Sequence, residues 1–245
     1  MLHGRVILVT GAARRVGSAI ARHLAAHGAQ LALHYRSAQA EAEALASSLN
    51  AARPGSAMVV QANLLDTSAM PPLVAAVLGR FGRLDGLVNN ASSFFPTPVG
   101  GIDEAAWHDL VGSNFKAPLF LSQAAAEALR AANGAIVNIT DVHAERPLAG
   151  YPLYSAAKGA LLTLTRALAI ELAPEVRVNA VAPGPILWPE DEQFGDSARA
   201  DIVRHTLLKR EGSPDDIAAA VAYLLTATYV TGQVINVDGG RTAHL

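Results

Sequence analysis

Short runs of β-branched and aliphatic residues alternate along the chain with longer segments in which apolar positions recur at helical spacing. The runs Arg5–Thr10, Gln30–Tyr35, Ala57–Gln61, Leu84–Asn89, Ala135–Thr140, Val176–Val181 and Gln233–Val237 predict strands. The segments between them predict helices over Val16–His27, Ala38–Asn50, Ser68–Arg80, Glu104–Ala131, Tyr151–Ala173, Ser197–Leu208 and Pro214–Thr226. The last is opened by Ser213 ahead of a proline at a first helical position. Repeated strand–helix units predict an α/β fold, a doubly wound parallel sheet of about seven strands with helices on both faces. No linker, composition shift or short-period repeat divides the chain, so residues 1–245 are expected to form a single domain. The irregular stretch 183–196, stiffened by Pro183, Pro185 and Pro189, follows the carboxyl end of a strand and suits a binding lid better than a spacer.

The 245 residues are 51% hydrophobic and 16% charged, with 19 Lys+Arg against 21 Asp+Glu and no Cys. That apolar content supports one large core and excludes disorder as the main state. A net charge of −2 argues against a general polyanion binder, so no nucleic-acid partner is expected. Without cysteine there is no thiolate for catalysis or zinc, and no metal site is expected. The first residues run straight into a strand without the pattern of a secretory signal, and no stretch nears the ~18 uninterrupted apolar residues of a membrane span. A soluble, cytoplasmic protein without a membrane partner is the expectation.

Gly11-Ala12-Ala13-Arg14-Arg15-Val16-Gly17 follows the first strand and opens the first helix, where free N–H groups and partial positive charge suit a pyrophosphate. A tight strand-to-helix turn also needs glycine for steric reasons, so this turn alone leaves both readings open. The second strand ends in His34-Tyr35-Arg36-Ser37, and the first acidic residue of the chain is Glu41. A carboxylate at that strand end would bind free ribose hydroxyls and repel a 2′-phosphate, whereas guanidinium and hydroxyl groups would hold the phosphate. The pattern points to NADP(H) over NAD(H). Arg15, Arg36 and Ser37 lie at strand–helix junctions on the cofactor side, while Arg22 reads as an ordinary solvated charge.

Tyr154 and Lys158 are four residues apart and share one helix face. An ammonium beside a phenol is expected to lower its pKa from ~10 and so create a proton relay. The same spacing also occurs on plain amphipathic helices. Asn114 precedes Pro118 by four residues, so its carbonyl loses its helical partner and the segment should bend. The freed carbonyl could hold a relay water near the lysine, or simply a packing water at a kink.

Thr10-Gly11 with Gly17, Asn89-Asn90-Ala91, Asn114, Tyr154-x-x-x-Lys158 and Pro183-Gly184 together resemble the short-chain dehydrogenase/reductase family over essentially the whole chain. The resemblance implies a Rossmann-type NADP-binding catalytic domain and a catalytic set of Asn, Ser, Tyr and Lys. It also implies that the lysine holds the nicotinamide ribose, and that the protein is a homotetramer packed through its long helices and last strand. Two departures stand out: Arg15 replaces the usual middle glycine of the phosphate turn, and Asp141 occupies the usual serine position 13 residues before the tyrosine. Serine donates to a carbonyl oxygen that becomes alkoxide; an ionised aspartate only accepts, and would repel that charge. Asp141 suits a substrate offering N–H groups, or a ring nitrogen that gains a proton through the Asp–Tyr pair.

Both departures resemble the pteridine reductases within the family, as do His34–Ser37, Asn90-Ala91-Ser92-Ser93-Phe94-Phe95-Pro96-Thr97-Pro98 and Pro147-Leu148-Ala149-Gly150-Tyr151. This resemblance implies NADPH-dependent reduction of a pterin or dihydropterin, of the dihydrobiopterin, dihydromonapterin or dihydrofolate type. Asp141, Tyr154, Lys158 and Asn114 would be catalytic. NADPH would meet Gly11, Arg15, Val16, Gly17, His34, Tyr35, Arg36, Ser37, Asn63, Leu64, Asn90, Ala91, Ser92, Tyr154, Lys158, Pro183, Gly184 and Ile186. At Asn63-Leu64 the family commonly has Asp-Leu, and an amide can still contact adenine. The substrate would meet Ser92, Phe94, Asp141, Tyr154 and Trp188, its flat ring held between Phe94 and the nicotinamide. Phe94 in the core and Trp188 packed on its own loop are the plainer alternatives, and His143 reads as a surface histidine. The competing function is a short-chain reductase of a carbonyl, such as a 3-oxoacyl thioester or a quinone. It would use every residue except Asp141 and Phe94. A non-catalytic NADP sensor on the same fold would have no use for the relay.

Overall fold

In the computed structural model, residues 2–188 and 194–243 are described. Pro189 and the acidic residues after it in the expected lid, and His244 and Leu245 of the tail, lie outside them. The strands are β1 (Val6–Val9), β2 (Gln30–Tyr35), β3 (Ala57–Gln61), β4 (Gly86–Asn89), β5 (Ala135–Ile139), β6 (Arg177–Pro183) and β7 (Val234–Val237). They form one parallel sheet in the order β3-β2-β1-β4-β5-β6-β7. The helices are α1 (Arg15–Ala26), α2 (Gln39–Ala52), α3 (Met70–Phe81), α4 (Glu104–Val111), α5 (Ala117–Ala131), α6 (Pro152–Glu171), α7 (Asp196–Arg204) and α8 (Pro214–Thr226).

The central strands read as unbroken apolar runs because both faces are covered. Ile7 and Val9 of β1 pack with Leu24 of α1 and Val221 of α8, and Leu45 of α2 belongs to the same layer. Val6 and Leu8 point the other way, into the layer holding Val77 of α3, Leu121 of α5 and Ala169 of α6. The chain winds outward from β1 to β3 and returns to β4 on the other side of β1. The crevice at the carboxyl ends of β1 and β4 is therefore the topological switch point, where sheets of this kind bind ligands.

Two expected helices differ from the observed ones for local reasons. The segment Glu104–Ala131 forms α4 and α5 joined by a single π-turn, Gly112–Lys116. Pro118 offers no N–H to the Asn114 carbonyl, and the widened turn instead pairs the Ala117 N–H with the Gly112 carbonyl. Gly112 leaves room for Leu65, whose Cδ2 would lie 2.6 Å from a Cβ there and would have to shift. Helix α7 stops at Arg204 rather than Leu208, because the N–H groups of Leu207 and Leu208 turn away to the Gly239 carbonyl, at 2.8 and 3.1 Å. By contrast, α8 starts as its sequence implies: Ser213 and Asp216 form a reciprocal capping box around Pro214. Among the described residues, no helix is long and apolar enough to cross a membrane.

Candidate active site

The crevice opens into a cavity of about 800 Å³. One end is the turn after β1. Gly11 adopts a φ of +61°, and a Cβ at Gly17 would overlap the Gly11 carbonyl oxygen. The turn is stitched to the end of β4. The Thr10 hydroxyl oxygen accepts from the N–H groups of Asn90 and Ala91 at 2.9 and 3.0 Å, and the Asn90 amide donates to the Thr10 carbonyl at 2.8 Å. The first turn of α1 has no side-chain cap and no acidic residue. Its N–H groups and partial positive charge are therefore available to an anion. Arg15 occupies the left-handed region at φ +53°, the conformation that glycine would supply at no steric cost. Its guanidinium donates to the Trp188 carbonyl at 2.9 Å, tying the turn after β1 to the stretch that follows β6.

Val16, His34, Tyr35, Arg36, Ser37, Asn63 and Leu64 line the same end of the cavity. Arg36 and Ser37 are exposed at the tip of β2, and Arg14 pairs with Glu41 at 3.7 Å. Asp141 is the one acidic side chain among the described residues lining the cavity, so none faces the end of β2. The glycine cradle, the open helix terminus and these cations fit a phosphate-bearing dinucleotide. Ala91, Ser92, Pro183, Gly184 and Ile186 continue the wall toward the opposite end. Gly184 is needed there because a Cβ would come within 2.7 Å of the Asp238 backbone.

His34 braces the turn after β1. It is 2% exposed, and its Nδ1 accepts from the Gly11 N–H at 3.2 Å, so Nε2 carries the proton and donates to the Ala62 carbonyl at 3.1 Å. Burial lowers its pKa from 6.5 to about 4. Between those values the unfolded chain binds the proton and the folded one does not. Stability present above pH 6.5 is therefore lost as pH falls through this window, by ~2 kcal/mol between pH 7 and pH 5. The variant His34→Asn should show a pH slope of unfolding free energy in urea that is shallower by this amount. Equal slopes in the two proteins would remove His34 as the cause.

The other end brings together Asp141, Tyr154 and Lys158. Asp141 follows β5 and caps the short turn Val142–Ala144, its Oδ1 accepting from the His143 N–H at 2.8 Å. The Tyr154 hydroxyl donates to Asp141 Oδ2 at 2.7 Å. Tyr154 stands in the first turn of α6, and one turn later Lys158, itself buried, donates from Nζ to the Ile139 carbonyl at 2.9 Å. This geometry corrects the expectation that lysine makes the tyrosine more acidic. Burial first, then the charge and hydrogen bond of Asp141, push the phenol well above its ordinary pKa of 10. Tyr154 is thus a protonated donor at neutral pH. Burial brings Lys158 down to about 8.

Asn114 lies behind the cavity wall and is fully buried; its neighbour Ser113 lines the cavity. The Asn114 amide donates to the carbonyls of Ser93 and Leu110 at 2.9 and 3.0 Å, bracing the loop that presents Phe94. Phe94 is half-buried and forms part of the wall. It stacks on Tyr151 with centroids 4.6 Å apart and meets Tyr154 edge-on at 4.8 Å. Trp188 combines its two readings. It lines the cavity and also packs on its own lid, 5.7 Å from Phe194, with its indole N–H donating to Glu211 at 2.8 Å. His143 reaches the cavity wall, and one ring nitrogen bonds to the Arg146 carbonyl at 2.9 Å.

Sequence reasoning assigned no role to Tyr151, Phe194 or Arg241. Tyr151 lies inside a stretch already singled out, but its stacking partner is 57 positions away in sequence. Phe194 and Arg241 carry no motif, and only folding brings them to the cavity.

The chain matches the family model described as enoyl-(acyl carrier protein) reductase over residues 11–242. It is 41% identical to pteridine reductase 1 of Leishmania tarentolae, with 96% of this chain and 95% of that protein covered. An uncharacterised oxidoreductase of Methylorubrum extorquens is 38% identical, covering 98% of each. A 3-oxoacyl-(acyl-carrier-protein) reductase of Staphylococcus aureus is 35% identical, covering 95% of this chain and 96% of that one. With these matches and a Tyr–Lys pair at the mouth of a seven-stranded parallel sheet, the chain belongs to the short-chain dehydrogenase/reductase family of oxidoreductases.

Proposed function

We propose that this protein is an NADPH-dependent reductase of pterins or dihydropterins. The observation that carries the reading is the 2.7 Å hydrogen bond from Tyr154 to a carboxylate, that of Asp141. A neutral serine in that position would help to hold a developing alkoxide. A carboxylate disfavours that charge and accepts instead from N–H groups of a nitrogen heterocycle. Phe94, presented beside Tyr154 at the cavity wall, gives a flat ring a π-face to lie against. The 41% identity to a pteridine reductase supports the same substrate class.

Gly11, Gly17, Arg15, Arg36, Ser37, Asn90 and Lys158 are the residues proposed to hold NADPH, with the exposed Arg36 and Ser37 taking the 2′-phosphate. The bound nicotinamide supplies the hydride. Tyr154 supplies the matching proton to a ring nitrogen, and Asp141 orients the phenol while accepting from the ring. Lys158 keeps a positive charge beneath them at neutral pH, and the wall formed by Phe94 fixes the ring plane at reacting distance. A homotetramer packed on α5 and α6 is supported by Phe120 and Ile170, large apolar side chains exposed on those helices.

The name of the 3-oxoacyl relative favours the carbonyl reading, and one assay separates the two. NADPH and NADH consumption would be followed with dihydrobiopterin, dihydrofolate, acetoacetyl thioester and a quinone. The expected result is a kcat/KM for a pterin exceeding that for the thioester by roughly 10²–10³-fold, the usual worth of one oxyanion donor, with NADPH preferred over NADH. Rapid thioester reduction with no pterin turnover would end the proposal.

A further inference from the structure

One cation of the cavity lies apart from the phosphate end and from the relay. Arg14, Arg15 and Arg36 flank the phosphate end, and Lys158 sits beside Asp141, the acidic lining residue. Arg241 remains, and it is built into place from several sides. Its own N–H donates to the Asp238 carbonyl at 3.2 Å, and its Nη1 donates to the Ile202 carbonyl of α7 at 3.1 Å. The turn beneath it is wound on the buried Asp238 carboxylate, which accepts from the N–H groups of Gly240 and Thr242 at 2.9 and 2.8 Å.

That turn also receives a hydrogen bond at the Thr242 carbonyl from Arg146, whose loop leads from Asp141 to α6. Among the described residues no carboxylate comes within ion-pair distance of Arg241. Helix α7 places Arg199 over the ring of Trp188 at 5.5 Å and supplies the Ile202 carbonyl to Arg241, which sets both on the lid side of the cleft. A held guanidinium with most of its N–H donors unused, on the wall of the cleft and away from the phosphate end, recognises an anion.

We propose that Arg241 forms an anion subsite for the far end of the substrate, selecting flat heterocycles that carry a carboxylate-bearing arm, the dihydrofolate type, over those with a short uncharged arm. The proposal rests on the pterin reading above and sharpens it. An acyl thioester on a phosphate-bearing carrier would bring the same kind of charge, so the test includes both sources. KM and kcat would be measured for dihydrofolate, dihydrobiopterin and acetoacetyl-CoA with the wild type, Arg241→Gln and Arg241→Lys.

In Arg241→Gln the ratio of KM for dihydrofolate to KM for dihydrobiopterin should rise on the order of ten- to hundredfold, as for loss of a charge-assisted hydrogen bond. Arg241→Lys should recover most of it. A merely structural role for Arg241 would move both KM values together and leave the ratio unchanged, which would overturn the subsite. A KM effect confined to acetoacetyl-CoA would assign the charge to a phosphate and overturn the carboxylate. If the wild type reduced neither pterin, the functional reading itself would fall, and the subsite with it. That result differs from an unchanged ratio in an enzyme that reduces both.

Discussion

Tyr154→Phe should lower kcat for pterin reduction by about 10²–10⁴-fold, the usual contribution of a positioned acid, with NADPH binding nearly unchanged by titration calorimetry. The substitution removes the O–H that donates to Asp141 and leaves the ring that meets Phe94 at 4.8 Å. Because burial and the neighbouring carboxylate keep the phenol protonated far above neutrality, the residue enters the reaction as an acid. The loss should therefore be of similar size across the neutral pH range. A variant as active as the wild type would place the proton donor elsewhere. A variant that no longer binds NADPH would make Tyr154 a cofactor contact first.

The second large effect is a change of preference. Asp141→Ser replaces a group whose two oxygens accept from Tyr154 and from the His143 N–H with one that can donate. With that negative charge gone, one of the forces raising the Tyr154 pKa disappears, and the phenol falls back toward its ordinary range. The expected outcome is a drop in kcat/KM for dihydropterin of about 10²-fold and a gain for acetoacetyl thioester of similar order, since one oxyanion donor is worth about that much. The two rates must move in opposite directions. If pterin reduction survived at the wild-type rate, the carboxylate would not be what selects a nitrogen heterocycle.

Much of the site was legible because its parts are local. The phosphate turn, the Tyr–Lys pair and the serine-to-aspartate exchange each lie within a few residues of a strand end or helix start, where residue type and conformation are tied together. The strands Gln30–Tyr35 and Ala57–Gln61 and the helix Pro214–Thr226 have the bounds that their patterns predict. Pro118 likewise announced a bend in its helix, although not that it would take the form of a π-turn. His34 was placed among the cofactor contacts by the family resemblance, as part of the stretch that ends the second strand. Its bonds to Gly11 and Ala62, which make it a brace for the turn, depend on neighbours 23 and 28 positions away.

From the amino-acid order alone came the parallel α/β architecture, the glycine-rich turn at one end of the crevice and the residue types that meet at its other end. Periodicity, turn chemistry and spacing are short-range properties, so they survive without coordinates. The tertiary structure decided the direction of the Tyr154 pKa, the link from Arg15 to the Trp188 carbonyl, the stacking of Phe94 with Tyr151 and Phe194, and the arrival of Arg241 at the cavity. Each depends on how deeply a group is buried or on which distant side chain faces it. Both quantities come into existence only when the sheet and its two helical layers close around the site.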